Sequence, residues 1–143
     1  MNILVTDTGF ETETQPHAWV TYMPDMIWSA DIYALEVPVT TDTQSLYAHL
    51  DNISHIRIPF AKFSDGRGYT LARQLRLLGY REHLRAVGEL LPDQYAIARQ
   101  VGFDAIELTP EQATHHPEAC WQIRADWSQH DYQARLGCNI SSE

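Results

Sequence analysis

The stretch His55–Gly88, HIRIPFAKFSDGRGYTLARQLRLLGYREHLRAVG, carries the pattern that decides the fold. HIRIPFAKF is a short β-like run, and SDGRG breaks it with two closely spaced glycines. YTLARQLRLLGY then sets Leu71, Ala72, Leu75 and Leu78 at helical spacing, with Gly79 as a C-terminal stop. LRAVG is a second compact strand. Downstream, ELLPDQYAIARQVG reads as a helix that tolerates Pro92 in its first turn, has Gln94, Ile97, Ala98 and Val101 as one stripe, and ends at Gly102. FDAIEL is a third strand. Alternation of this kind at short spacing implies parallel strands joined by right-handed crossovers. The expected fold is α/β: a compact β-α-β-α-β parallel core, half-barrel-like or an open sheet, with a β-rich N-terminal extension.

The flanks are less regular. Ile3–Val5 and Ala18–Met23 read as short strands around the turn-rich stretch Asp7–Pro16. Ala34–Val39 reads as a third, which Pro38 places at a sheet edge. Thr43–Leu50 reads as a short helix capped by Asp42 or Thr43, with Leu46, Tyr47 and Leu50 on one face. In the tail, Trp121, Ile123, Ala125 and Trp127 alternate as in a strand, whereas Cys120, Ile123 and Trp127 fit a helix begun by Pro117. The helix continues the β-α order. The whole chain, 1–143, is read as one domain: a β-rich segment 1–44, a core 56–108 and a C-terminal segment 109–143.

Bulk properties narrow the class. A 143-residue chain with 44% hydrophobic residues can bury a core of its own. No apolar run approaches the ~18–20 residues of a membrane span, so no membrane partner is expected. The N-terminus MNILVTDTGFETETQ lacks the basic and apolar regions of a secretory signal. Two cysteines, Cys120 and Cys138, make no disulfide framework, and the expected location is the reducing cytoplasm. A net charge of −9 argues against nucleic acid as a partner. The charge is unevenly spread. Residues 1–56 hold eight acids and no Lys or Arg, residues 57–99 hold eight bases against four acids, and residues 100–143 hold seven acids against two bases. Seven of those eight bases are Arg, which suits bidentate contact with anions or carboxylates.

Ligands of parallel sheets bind beyond the carboxyl ends of the strands, which points to three turns. The first holds Asp65, Gly66, Arg67 and Gly68; the second Gly88, Glu89, Asp93 and Gln94; the third Glu107 and Thr109. In the first, Asp65 can cap the following helix, while Gly66 and Gly68 permit close backbone approach. Free amides at a helix start, with Arg67 beside them, can hold phosphate, sulfate or sulfite. An acidic cap competes with that anion, and a capped turn with an exposed arginine explains the same residues. The pattern is neither a dinucleotide fingerprint, since Leu71 stands where a third glycine belongs, nor a P-loop, since no GK[ST] follows. Arg73 and Arg76 lie one helical turn apart, as a solvated face or a docking surface. His115, His116 and Cys120 make a poor ligand set because Pro117 interrupts the spacing, and no metal or redox cofactor is expected. No Ser has an evident His or acid partner and no HExxH occurs, so the catalytic residues are open.

The run IRIPFAKFSDGRGYTLARQLRLLGY, followed by LRAVG, DQ and GFDA in that order, resembles a bacterial family catalogued as domain of unknown function 934. The resemblance spans Ile56–Leu108, with a weaker echo at Trp127, Ser128, Tyr132 and Gln133. Its motif positions fall on Phe63, Asp65, Gly66, Arg67, Gly68, Tyr69, Arg73, Leu75, Arg76, Gly79 and Tyr80. They continue through Arg85, Ala86, Gly88, Asp93, Gln94, Gly102, Phe103 and Asp104. No catalytic role comes with them. The resemblance implies a setting in sulfate assimilation beside sulfite reductase, where family members carry the label of oxidoreductases. Val101 stands where the family often has a cysteine, Pro92 where an arginine is common and Ile106 where an aromatic is usual.

Three functions are expected candidates. The first is an accessory protein that docks on sulfite reductase or another sulfate-assimilation protein through Arg73 and Arg76, without a redox cofactor of its own. The second is a small enzyme or binding protein that grips an oxyanion with Arg67 and Arg85, helped by Asp65, Gly66, Gly68, Asp93 and Gln94. The third is a self-associating structural protein.

Overall fold

The computed structural model describes residues 2–12, 18–62, 66–88 and 90–123. One seven-stranded sheet runs through them. Its strands are β1 (Ile3–Thr6), β2 (Gly9–Thr12), β3 (Trp19–Thr21), β4 (Ala34–Glu36), β5 (His55–Phe60), β6 (His83–Gly88) and β7 (Ala105–Leu108), in the order β2-β1-β7-β6-β5-β4-β3. From β3 to β7 every neighbouring pair is parallel and consecutive in the chain; β1 joins β7 and β2 antiparallel. The result is the expected α/β architecture as an open sheet.

Helix α1 (Arg67–Leu77) connects β5 to β6, and α2 (Tyr95–Val101) connects β6 to β7 after a 3-10 turn at Pro92–Gln94. Two further helices, α3 (Pro110–His115) and α4 (Glu118–Ile123), follow β7. A 3-10 helix, Thr43–Asn52, precedes β5, and the Asp42 carboxylate caps it at the Gln44 amide, 3.0 Å away. Period-two alternation sorts the strands into two faces. Ile56, Ile58 and Phe60 of β5 join Leu84 and Ala86 of β6 and Ile106 and Leu108 of β7 in one core. Leu46 and Leu50, Leu71, Ala72 and Leu75 of α1, Tyr95 and Ala98 of α2 and Trp121 of α4 close it. The helices therefore cover one face of the sheet.

Two glycines let the layers meet. A Cβ at Gly68 would overlap the Phe60 ring, so the first turn of α1 can lie against the end of β5 only without a side chain. Gly88 has a φ of 127°, and a Cβ there would collide with the Phe60 carbonyl.

Several details differ from the pattern reading. Strand β2 forms inside the stretch read as turns, because pairing with β1 outweighs its Gly and Glu content. Strand β4 is interior, between β3 and β5, rather than at an edge; it ends at Glu36, so Pro38 costs no ladder bond within it. The N-terminal strands belong to the same sheet as the core. Tyr47 does not share the buried face of Leu46 and Leu50 but is exposed, because the segment winds as a 3-10 helix. Ile97 is likewise exposed, and Tyr95 takes its place in the α2 core contact. The tail forms a helix at Glu118–Ile123, and Trp127 lies outside the described residues. Among the described residues, no helix is long and apolar enough to cross a membrane.

Candidate functional site

The three carboxyl-end turns do lie along one edge of the sheet, since β5, β6 and β7 are parallel neighbours. Among the described residues their side chains do not converge as one anion grip. At the first turn, Gly66 is the N-cap of α1 and offers no capping side chain; Asp65 and Phe63 lie outside the described residues. Arg67 is exposed at the first residue of α1. Behind it the Tyr69 hydroxyl is buried with no hydrogen-bond partner among the described residues, against Phe60 and Phe103, and burial pushes its pKa up to about 12.

The second and third turns meet. The Gln112 side chain spans them, donating to the Gly88 carbonyl at 2.7 Å and accepting from the Thr109 amide at 2.9 Å. Thr109 completes a capping box by accepting from the Gln112 amide. Gln94 accepts from the Leu91 amide at 2.9 Å, whereas Asp93 is exposed; Glu89 lies outside the described residues. A cleft of about 600 Å3 opens between these turns.

Arg85 is elsewhere. It lies on the sheet face opposite the helices, only 2% exposed, and its Nη1 donates to Glu107 Oε1 at 3.0 Å. Glu107, 3% exposed, is the hub of that face. It accepts from Asn2 Nδ2 at 2.7 Å and stands 3.7 Å from Arg57 Nη1. Arg57 in turn donates to Glu36 at 2.8 Å. Arg57 and Arg85 both lie over the Trp19 ring, at 4.6 and 5.1 Å. Arg85 Nε donates to His83 Nε2 at 3.0 Å, which makes that nitrogen an acceptor; Ser54 shares a 2.9 Å hydrogen bond with His55 Nδ1. The His55 and His83 rings are 5.3 Å apart. This network was missed in the pattern reading. Its signal was present: HIRI and HLRA each alternate His and Arg with buried apolar residues, which places both pairs on one face.

The two docking arginines also separate. Arg73 is exposed on α1. Arg76 instead clamps the end of α1 to the α2–β7 turn, donating to the Gly102, Tyr80 and Glu82 carbonyls and to Asp104 Oδ2. Arg99 pairs with Asp7 and approaches Asp104. Of the eight bases in residues 57–99, Arg57, Arg76, Arg85 and Arg99 are thus spent in ion pairs within the fold. Lys62, Arg67, Arg73 and Arg81 are exposed.

Cys120 is buried. Among the described residues, no cluster of three or more His, Cys, Asp or Glu is placed to hold a metal ion.

A family model described as bacterial protein of unknown function (DUF934) matches residues 34–139. No curated protein and no solved structure matches the chain.

Proposed function

The chain belongs to the bacterial family of unknown function DUF934, and on that premise we propose that it is a cytoplasmic accessory protein that docks on the sulfite-reduction machinery. The observation that carries this reading is how the cations are divided. Among the described residues, Arg57, Arg76, Arg85 and Arg99 are engaged in ion pairs within the fold, and Lys62, Arg73 and Arg81 are exposed along α1 and its flanks. Leu77 is 76% exposed one turn beyond Arg73, and Tyr47 is 59% exposed on the 3-10 helix that packs against α1. Cations around apolar groups, on a molecule that is otherwise acidic, make a surface for a carboxylate-bearing partner. Arg76 takes no part in it, because its guanidinium already serves four partners.

The partner is a subunit of sulfite reductase or another sulfate-assimilation protein, the setting that the family resemblance implies. Tagged protein is expected to recover such a subunit from its native lysate, less so at high salt. Arg73→Glu with Leu77→Asp should release it while leaving the melting temperature nearly unchanged, since exposed charges contribute only ~0–1 kcal/mol. Recovery of no such subunit overturns the reading.

An oxyanion-binding protein is the second reading, and the separation of the two arginines weakens it. Arg85 is paired with Glu107 on the sheet face, so it does not stand beside Arg67 and the α1 amides. Calorimetric titration with sulfite, sulfate and phosphate tests it; no heat at millimolar anion ends it.

A further inference from the structure

The cleft at the carboxyl ends of β6 and β7 lies at the other end of the sheet from Leu77 and Arg81, and none of its lining residues belongs to the docking surface. Its volume of about 600 Å3 falls in the range of small-molecule sites. Leu90, buried, and Leu91, partly exposed, form an apolar wall. Much of the polar backbone around the rim is already satisfied within the protein. Gln112 holds the Gly88 carbonyl and the Thr109 amide, Thr109 holds the Gln112 amide, and Gln94 holds the Leu91 amide. Such bracing fixes the rim before any ligand arrives.

The remaining polar chemistry of the described lining comes from Glu111, His115 and His116. Glu111 and His115 lie one helical turn apart on α3, 4.0 Å from each other. The His116 Nδ1 is buried with no partner among the described residues, and Trp121 anchors the backbone beneath it by donating to the His116 carbonyl at 2.9 Å. No Lys or Arg lines the cleft among the described residues, and a carboxylate stands at its rim. The Glu111 carboxylate offers acceptors only, whereas each imidazole has a nitrogen that can accept and one that can donate. The carboxylate repels an oxyanion and matches a head group that donates.

We propose that this cleft binds a small organic amine, with its apolar body against Leu90 and Leu91 and its ammonium among Glu111, His115 and His116. The test is an NMR titration of the full chain with three probes: isoamylamine, its alcohol counterpart isoamyl alcohol, and sodium sulfite. The expected result is saturable shifts at Leu91, Glu111, His115 and His116 with the amine, weaker shifts with the alcohol and none there with sulfite. Glu111→Gln should weaken amine binding about two- to fivefold, the range of an exposed charge contact. Leu91→Ser should weaken amine and alcohol alike, and the unshifted remainder of the spectrum reports that both variants are folded. Equal affinity for amine and alcohol, saturation by sulfite at these residues, or no saturable shift at all would each overturn the proposal.

Discussion

Gly66 and Gly68 are two residues apart and serve different ends. Nothing lies within 4 Å of a Cβ built at Gly66, whereas one at Gly68 enters the Phe60 ring. Gly68→Ala should therefore destabilise the protein by ~1–3 kcal/mol, the usual cost of overpacking, and Gly66→Ala should not, as urea unfolding of the two variants would show. The paired glycines suggested close backbone approach at an anion site in the sequence; in the structure the second is a packing requirement between helix and strand. Glu107 poses the opposite problem. Truncating it leaves Arg85 buried and uncompensated, so Glu107→Ala should cost ~3–5 kcal/mol. Removing both charges with Arg85→Met and Glu107→Leu should cost less than Glu107→Ala alone, because matched apolar groups need no counterion. A double-mutant cycle in urea measures that coupling. Nothing local in the sequence ties Glu107 to Arg85, since their contact depends on the register in which β6 meets β7.

At the scale of elements, α1 was legible because Leu71, Ala72 and Leu75 repeat at helical spacing and all three are buried. Strands β5, β6 and β7 were legible because each is a short apolar run next to turn residues. Helix α3 was not: none of its residues is buried, so PEQATH has no apolar stripe to announce it, and its cues are the Thr109–Gln112 capping box and Pro110 in the first turn. Strand β2 escaped for a related reason. Its Glu11 and Thr12 are exposed at the sheet edge, and the ladder to β1 alone defines it. The candidate site was legible by position, in that the cleft lies where strand ends predicted, but not by composition. Arg85 was expected to join Arg67 in gripping an oxyanion at the strand ends and instead lies on the sheet face opposite the helices, because its alternation with Leu84 and Ala86 sets its direction. Arg76 looked like a surface charge for the same want of tertiary information. Arg76→Ala should cost ~1.5–3 kcal/mol, the range for hydrogen bonds from a charged group. Loss of amide-exchange protection confined to the end of α1 and to the turn at Gly102 would localise it.

The whole molecule carries a pH signature on the alkaline side. Tyr69 titrates at about 12, and Tyr80 and Tyr95 are shifted further in the same direction, in each case chiefly by burial; hydrogen bonding to Asp7 adds to the shift of Tyr95. An unfolded tyrosine ionises at about 10. Below that pH both states hold the phenol proton and these groups contribute no pH dependence. Above it the unfolded chain sheds protons that the folded one retains, so stability should fall steadily from pH about 10 to 12. Melting temperatures across that range, read beside tyrosinate absorbance, check this, and a flat profile would contradict it. The strand order also has a consequence for how the protein is made. Ile3 pairs with Leu108, so the slot for β1 does not exist until β7 has left the ribosome. At roughly 5–20 residues per second the β1–β2 hairpin waits several seconds with only its own short ladder. The parallel strands can assemble in the order in which they are translated, while the two strands translated first are the last to be seated.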